Sequence, residues 1–331
     1  MLRRVTPFGY AAGMTASTTD SEHAAAHQPD LLGGPSPTAD PPLRLSFSRV
    51  ESYRNCPLQY RFRYIDRLPE ESSPHLSFGS SIHAALEAFW DRKLPQPPPA
   101  DTLLQALYDR WDSTGFADVE RDEQLRWYRH ARDVVVRHHA RFADVQVTPV
   151  ACEQWFELDL PDNVQVVGAI DLVLPTGSGI GIVDWKTNRK AKPRSKVADS
   201  LQLAIYALAA RHLWGHDPEW VALDFVVPGV RVTVPREQID TDAAVAAIRE
   251  VAAAIRAAQF EPRPTPLCGW CDYRSECPAF EGDGPDVPAL AVNELRKLKR
   301  RQARDRSRIA ELEELVTERL GPDALVETEP T

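Results

Sequence analysis

The stretch Gly168–Thr187, GAIDLVLPTGSGIGIVDWKT, decides the fold. Two runs rich in Val, Ile and Leu flank the turn-forming PTGSG at Pro175–Gly179, which predicts a β-hairpin of strands 164–174 and 180–187. A turn centred between Gly177 and Ser178 sets Asp171 opposite Asp184. Side chains facing each other across an antiparallel ladder have Cβ atoms about 4.5–5.5 Å apart. Two carboxylates that close repel unless a proton or a cation lies between them. Oxygen ligands on a rigid strand pair suit Mg²⁺ or Mn²⁺. Lys186 follows Asp184 by two residues, so both leave the strand on one face. There the lysine can orient a water or balance the charge of a phosphate. The competing reading is an ordinary surface Asp–Lys pair beside an unrelated aspartate.

Working outward, the chain of 331 residues allows one large domain or two ordinary ones with tails. Its 43% hydrophobic and 26% charged residues fit a globular protein, and no apolar run reaches the length of a membrane span. The first residues are basic but lack a continuous apolar segment, so no export signal is expected, and Met14 is an alternative start. The five cysteines, odd in number and unevenly spaced, then suit metal or cluster ligation in the cytoplasm better than disulfides. A net charge of −9 excludes a generally basic nucleic-acid coat, yet the charge is uneven. Lys186–Lys196 carries six basic side chains and no acid, and Arg296–Arg308 carries eight against Asp305. Such local stripes fit a polyanion on a defined path, although for any single stripe a solvated loop or helix face is the better reading.

Residues 1–40 lack a sustained period and read as a disordered leader. A helix capped by Ser46 or Ser48 follows, divided by Pro57. A second starts near Phe78 with Ser80 or Ser81 as cap, and two more occupy about 101–113 and 121–143. Strand-like VACEQWFELDL precedes the hairpin. After it come a helix capped at Asp199 or Ser200 and stopped by Gly215, two strands (219–229 and 230–235), and an Ala-rich helix at 241–258. This order predicts an α/β protein with a small mixed sheet flanked by helices. The sequence contains no G-x-x-x-x-G-K-[ST] phosphate loop, so no ATPase of its own is expected.

These residues carry a resemblance. GAIDLVLPTGSGIGIVDWKT resembles the PD-(D/E)XK nuclease core in its RecB-family exonuclease variant, with Asp171 in G-x-I-D and Asp184 and Lys186 in D-x-K. GSSIHAALE resembles the family's G-x-x-x-H motif, which implies a metal-ligand role for His83. QLAIYALAA resembles its Q-x-x-x-Y helix motif, pointing to Gln202 and Tyr206, four apart on one helix face. SFSRVESYRNCPLQYRFRY resembles the opening helix, in which a cysteine precedes a proline. The likeness covers about 43–278 and implies a restriction-endonuclease-like core. It further implies Mg²⁺ or Mn²⁺ on His83, Asp171, Asp184 and the Trp185 carbonyl. Lys186 would position the attacking water and neutralise developing charge, and Gln202 and Tyr206, with the basic Arg189 and Lys190, would hold the nucleic-acid strand. Glu153, on the preceding strand, stays outside this site, a structural salt bridge being at least as good an account.

Cys268, Cys271 and Cys277 form C-x2-C-x5-C and need a fourth ligand. The resemblance supplies one: Fe–S-containing relatives, AddB-type and CRISPR-associated, hold a 4Fe–4S cluster on one early and three late cysteines. That implies Cys56 as the fourth ligand and a staple joining the ends of the domain. A Cys₄ zinc site and free thiols are the rivals, and Cys152 reads as a packing residue. The expected organisation is a leader (1–40), a nuclease domain (41–284) and a charged helical extension (285–331). The expected function is a metal-dependent DNA exonuclease acting on single-stranded ends in repair or recombination, with a helicase chain as partner and no membrane. The alternatives are a non-catalytic nucleic-acid-binding subunit of a helicase–nuclease complex and a structure-specific endonuclease.

Overall fold

The protein is represented by a computed structural model that describes residues 41–280 apart from residue 71, together with Leu298, Gln302, Ile309, Ala310, Leu312, Leu315 and Thr317. The expected leader lies outside the described residues. So does most of the C-terminal extension, of which the seven residues named are helical and exposed.

The hairpin forms in the expected register. Strand β3 (Val164–Pro175) pairs antiparallel with β4 (Ile180–Lys186), Leu172 facing Val183 and Pro175 facing Ile180. Thr176 closes the turn by donating its amide to the Gly179 carbonyl at 2.9 Å. Strand β2 (Ala151–Leu160) runs antiparallel along the other edge of β3. Parallel β5 (Trp220–Phe225) flanks β4, and antiparallel β6 (Val230–Pro235) completes that side. A short strand that the sequence did not announce, β1 (Leu43–Leu45), pairs parallel with Val164–Val166, giving a six-stranded mixed sheet. Because β2 occupies one edge of β3, β1 and β4 share the other. Residues 167–171 of that edge have no strand partner among the described residues, and Asp171 sits at the β4 end of this opening.

Both faces of the sheet are covered. On one, Ile170, Ile182, Leu223 and Phe225 pack under α1 (Phe47–Asn55), α7 (Leu201–Trp214) and α8 (Thr241–Arg256). On the other, Leu172, Leu174, Val183 and Trp185 pack under α3 (Pro74–Trp90), α4 (Ala100–Asp109) and α5 (Arg121–Phe142). Two short helices, α2 (Pro57–Tyr64) and α6 (Arg194–Ala198), complete the described regular helices. Pro57 divides α1 from α2 as expected, because its missing N–H costs nothing at the first position of a new helix.

The start of α3 differs from expectation. The cap is Ser73, whose hydroxyl accepts from Leu76 N, with Pro74 at the first turn; Ser80 and Ser81 lie inside the helix. Ser81 instead donates to the Ser77 carbonyl. The Ser73 turn is clamped from outside by Gly115, whose amide donates to Ser77 Oγ at 2.9 Å. A Cβ on Gly115 would meet the Ser73 carbonyl oxygen at 2.2 Å, a backbone atom with little room to give. Gly115→Ala is therefore expected to lower stability by about 1–3 kcal/mol, read as a lower urea midpoint at constant m. A wild-type midpoint would show that this loop is free to move away from α3.

Candidate active site

Where β3 and β4 part, three ligand-type side chains converge. His83 on α3, Glu153 on β2 and Asp171 on β3 bring one ligand atom each within 4.8 Å of the others. His83 is held by the chain it faces: its Nε2 lies 3.1 Å from the Trp185 carbonyl, and its Nδ1 lies 3.7 Å from Asp171 Oδ2. A carbonyl can only accept, so Nε2 carries the proton and the Nδ1 lone pair faces the carboxylates. Asp171 Oδ2 also accepts the Trp185 amide at 2.7 Å. Burial lowers the His83 pKa, against the pull of Asp184, which keeps the imidazole in the neutral, metal-ligating form.

The carboxylates are crowded. Asp171 is nearly buried and Asp184 is 1% exposed. Desolvation and the neighbouring Asp184 raise the Asp171 pKa well above the ordinary range, against the Trp185 amide. Glu153, at the mouth of the cleft, is raised by desolvation, Glu87 and Asp184. It has a φ of 48° inside a strand, while its neighbours Cys152 and Gln154 keep their register with Leu172 and Ile170. A non-glycine residue in the left-handed region within a strand costs energy, of order 1–3 kcal/mol, and such strain concentrates at functional sites. Among the described residues no cation lies within 4.0 Å of Glu153, so the structural salt bridge does not form.

Asp184 is engaged differently. Its Oδ2 lies 2.7 Å from Lys186 Nζ, and the same ammonium donates to Gln202 Oε1 at 2.7 Å. With its oxygen so committed, Gln202 turns Nε2 to Tyr206 Oη at 3.0 Å. Tyr206 is 5% exposed and packs edge-on against Phe156, itself seated on Gly168, where a Cβ would meet the ring at 3.0 Å. The Tyr206 hydroxyl therefore faces Gln202, not solvent. Arg189 and Lys190 lie on the exposed loop after β4, and Arg189 is near enough to depress the His130 pKa behind burial and Arg137. His83 and Glu87, four apart on α3, do not pair; Glu87 binds Arg110 at 2.6 Å.

The four predicted cysteine ligands line one cavity but do not form a cluster. Cys56, at the α1–α2 junction, and Cys268, Cys271 and Cys277 line one cavity of about 310 Å³. Backbone amides of Arg263 and Thr265 donate to Cys56 Sγ (3.5 Å) and Cys268 Sγ (3.2 Å). No three of these sulfurs lie within 4.8 Å of one another. Cys152 lies elsewhere, packed against the α3–α5 core.

The sheet, its helical layers and this cleft are those of a nuclease fold, and the chain belongs to the PD-(D/E)XK nuclease superfamily, whose family model matches residues 44–278. Members of that superfamily are generally phosphodiester hydrolases that use divalent metals. The chain is 26% identical to the Gene 69 protein of Mycobacterium phage D29 over 72% of this chain and 98% of that one. The Gene 69 protein of Mycobacterium phage L5 is 24% identical over 72% and 97%. An ATP-dependent helicase/deoxyribonuclease subunit of Streptococcus agalactiae is 26% identical over half of this chain, but over 16% of its own length. No described helix is long and apolar enough to cross a membrane.

A carboxyl whose folded pKa is raised stabilises the fold while protonated, and that contribution is lost as pH rises through the folded value. Asp171→Asn keeps an acceptor for the Trp185 amide and removes the ionised state. In EDTA the variant is expected to melt above wild type at neutral pH, with the gap closing as pH falls through the Asp171 titration. Mg²⁺ or Mn²⁺ should narrow the gap by stabilising wild type. Calorimetric melts that coincide at neutral pH would show that the carboxylates do not crowd one another.

Proposed function

We propose that this chain is a divalent-metal-dependent deoxyribonuclease of the RecB exonuclease type, hydrolysing phosphodiester bonds at single-stranded DNA ends during repair or recombination. The observation that carries this is the convergence of His83, Glu153 and Asp171 beside a lysine anchored to Asp184. Three ligand atoms this close, two of them anionic, repel without a cation, so the donor set suits Mg²⁺ or Mn²⁺. The Trp185 carbonyl and, once released by Lys186, Asp184 complete the oxygen ligands. A divalent ion bound here would neutralise charge on the scissile phosphate and lower the pKa of a water. Lys186 then donates to the attacking water and offsets the charge that develops on the phosphate. Gln202 fixes where its ammonium stands, and Tyr206 fixes Gln202. Arg189 and Lys190 face the strand as it leaves the cleft. The streptococcal relative, by its name part of a helicase/deoxyribonuclease, supports DNA as substrate and a helicase chain as partner.

For the cysteine cavity a 4Fe–4S cluster is the preferred occupant, because zinc sites usually show two C-x2-4-C knuckles and this sequence has one, Cys268–Cys271. Amide donors to Cys56 and Cys268 are the hydrogen bonds that cluster thiolates use. The cluster would join α1–α2 to the segment after α8, with residues 285–331 as a charged extension.

Purified protein should digest end-labelled linear single-stranded DNA with Mg²⁺ or Mn²⁺ and stop in EDTA. Asp184→Ala and Lys186→Ala are expected to slow cleavage by about 10²–10³-fold or more while still binding the strand. Wild-type rates in either variant refute the site, and circles cut as fast as linear strands would make the enzyme an endonuclease. Anaerobic preparations should be yellow-brown with about four irons per chain. Cys268→Ser should bleach them and Cys152→Ser should not; stoichiometric zinc without iron would reject the cluster.

A further inference from the structure

Asp224 on β5 is fully buried, yet both of its partners reach the surface. Arg141 from α5 gives it Nη1 at 3.0 Å, and Arg231 from β6 gives Nη2 at 2.8 Å and Nε at 3.2 Å. The guanidinium carbons stand 4.9 and 5.0 Å from the centre of the Phe142 ring. One carboxylate neutralises one arginine, so the group keeps a net positive charge. Nε and Nη2 of Arg141 and Nη1 of Arg231 have no hydrogen-bond partner among the described residues, and none of these nitrogens is buried. Two guanidiniums immobilised by a buried acid and an aromatic ring, with spare N–H groups turned to solvent, form a preorganised fork for a phosphate.

The pair adjoins the candidate active site. Asp224 is the register partner of Trp185 on β4. Val226 N donates to the Lys186 carbonyl, and Arg137, one turn before Arg141, donates to the Val227 carbonyl. At the other end of this stretch His130 stacks on Phe78 near Arg189. Neither Arg137 nor Arg189 lies within 4.0 Å of a described carboxylate, although Asp133 also lies on this stretch. From His130 to Arg141 the helix rises about 16 Å.

We propose that Arg141 and Arg231 form a binding site for a backbone phosphate of the nucleic-acid strand, at the far end of a cationic track along α5 from the loop that follows Lys186. The choice of a nucleic-acid strand as ligand rests on the nuclease reading. Arg141→Gln and Arg231→Gln each leave one guanidinium on Asp224, so the buried acid stays paired. With a fluorescent oligothymidylate in EDTA, each variant should bind about tenfold more weakly at low salt. The slope of log K against log salt should become shallower by about 0.7 for each phosphate that is no longer neutralised. Arg231→Lys, the safeguard if a Gln variant folds poorly, should keep more of the slope than Arg231→Gln. Wild-type affinity and slope in folded variants, with or without a lower melting temperature, would make the triad a structural clamp and overturn the proposal, as would failure of wild type to bind the strand. The two readings separate cleanly. Weaker binding in the variants of a protein that never cleaves DNA leaves the phosphate site standing and removes the nuclease. Metal-dependent cleavage with unchanged slopes does the reverse.

Discussion

One hydrogen bond organises the site: the Trp185 amide donating to Asp171 Oδ2 at 2.7 Å. The β3–β4 ladder ends at Leu172–Val183, and at the next step a side chain takes a strand amide. That substitution opens the two strands without leaving a buried N–H unpaired, which would cost about 1–3 kcal/mol. It also fixes the Asp171 carboxylate beside β4 and leaves the Trp185 carbonyl for His83. The indole anchors the same residue in the α3–α5 core, with the His83 ring edge-on to it at 5.6 Å.

The second constraint is electrostatic. Asp171, Asp184 and Glu153 share a cleft with a neutral imidazole, and their nearest cation is Lys186 on Asp184. In this state the lysine and Asp184 form an ion pair at 2.7 Å, and Gln202 holds the ammonium by a hydrogen bond. A divalent ion bound among the carboxylates would compete with Lys186 for Asp184, and the Gln202 hydrogen bond would still hold the lysine. Gln202 of the Q-x-x-x-Y pair touches the lysine directly, and the buried Tyr206 reaches it through Gln202.

The hairpin and its register were legible because turn chemistry at Pro175–Gly179 is local, and local signals survive in a single sequence. Helix starts were less so: Ser80 and Ser81 precede an apolar run, but the chain had already begun to coil at Ser73–Pro74, where a cap and a proline coincide. Strand β1 has three residues and a parallel partner far along the chain, so no periodicity could announce it. Glu153 escaped for a related reason. Its position depends on how β2 pairs with β3 across a turn in which Asp162 and Asn163 adopt positive φ, and on its own positive φ. The Asp224 triad was hidden as a single acid in an apolar strand, because its arginines arrive from α5 and β6.

The cysteine module shows how the ends of the domain are joined before any cluster is considered. Tyr53 on α1 donates to the Gln259 carbonyl, Arg263 donates to the Arg54 carbonyl, and Tyr273 reaches the Leu68 carbonyl. Each bond ties a residue of the opening helices, or the loop after them, to the segment beyond α8. Loop-closure entropy grows slowly with length, so a joint closing most of the domain costs only modestly more than one closing a short loop. Its greater consequence is in the folded state. Helix α1 follows directly on β1, and β1 closes the far end of the opening in β3 that has Asp171 at its near end. A joint that steadies α1 therefore steadies the frame of the cleft.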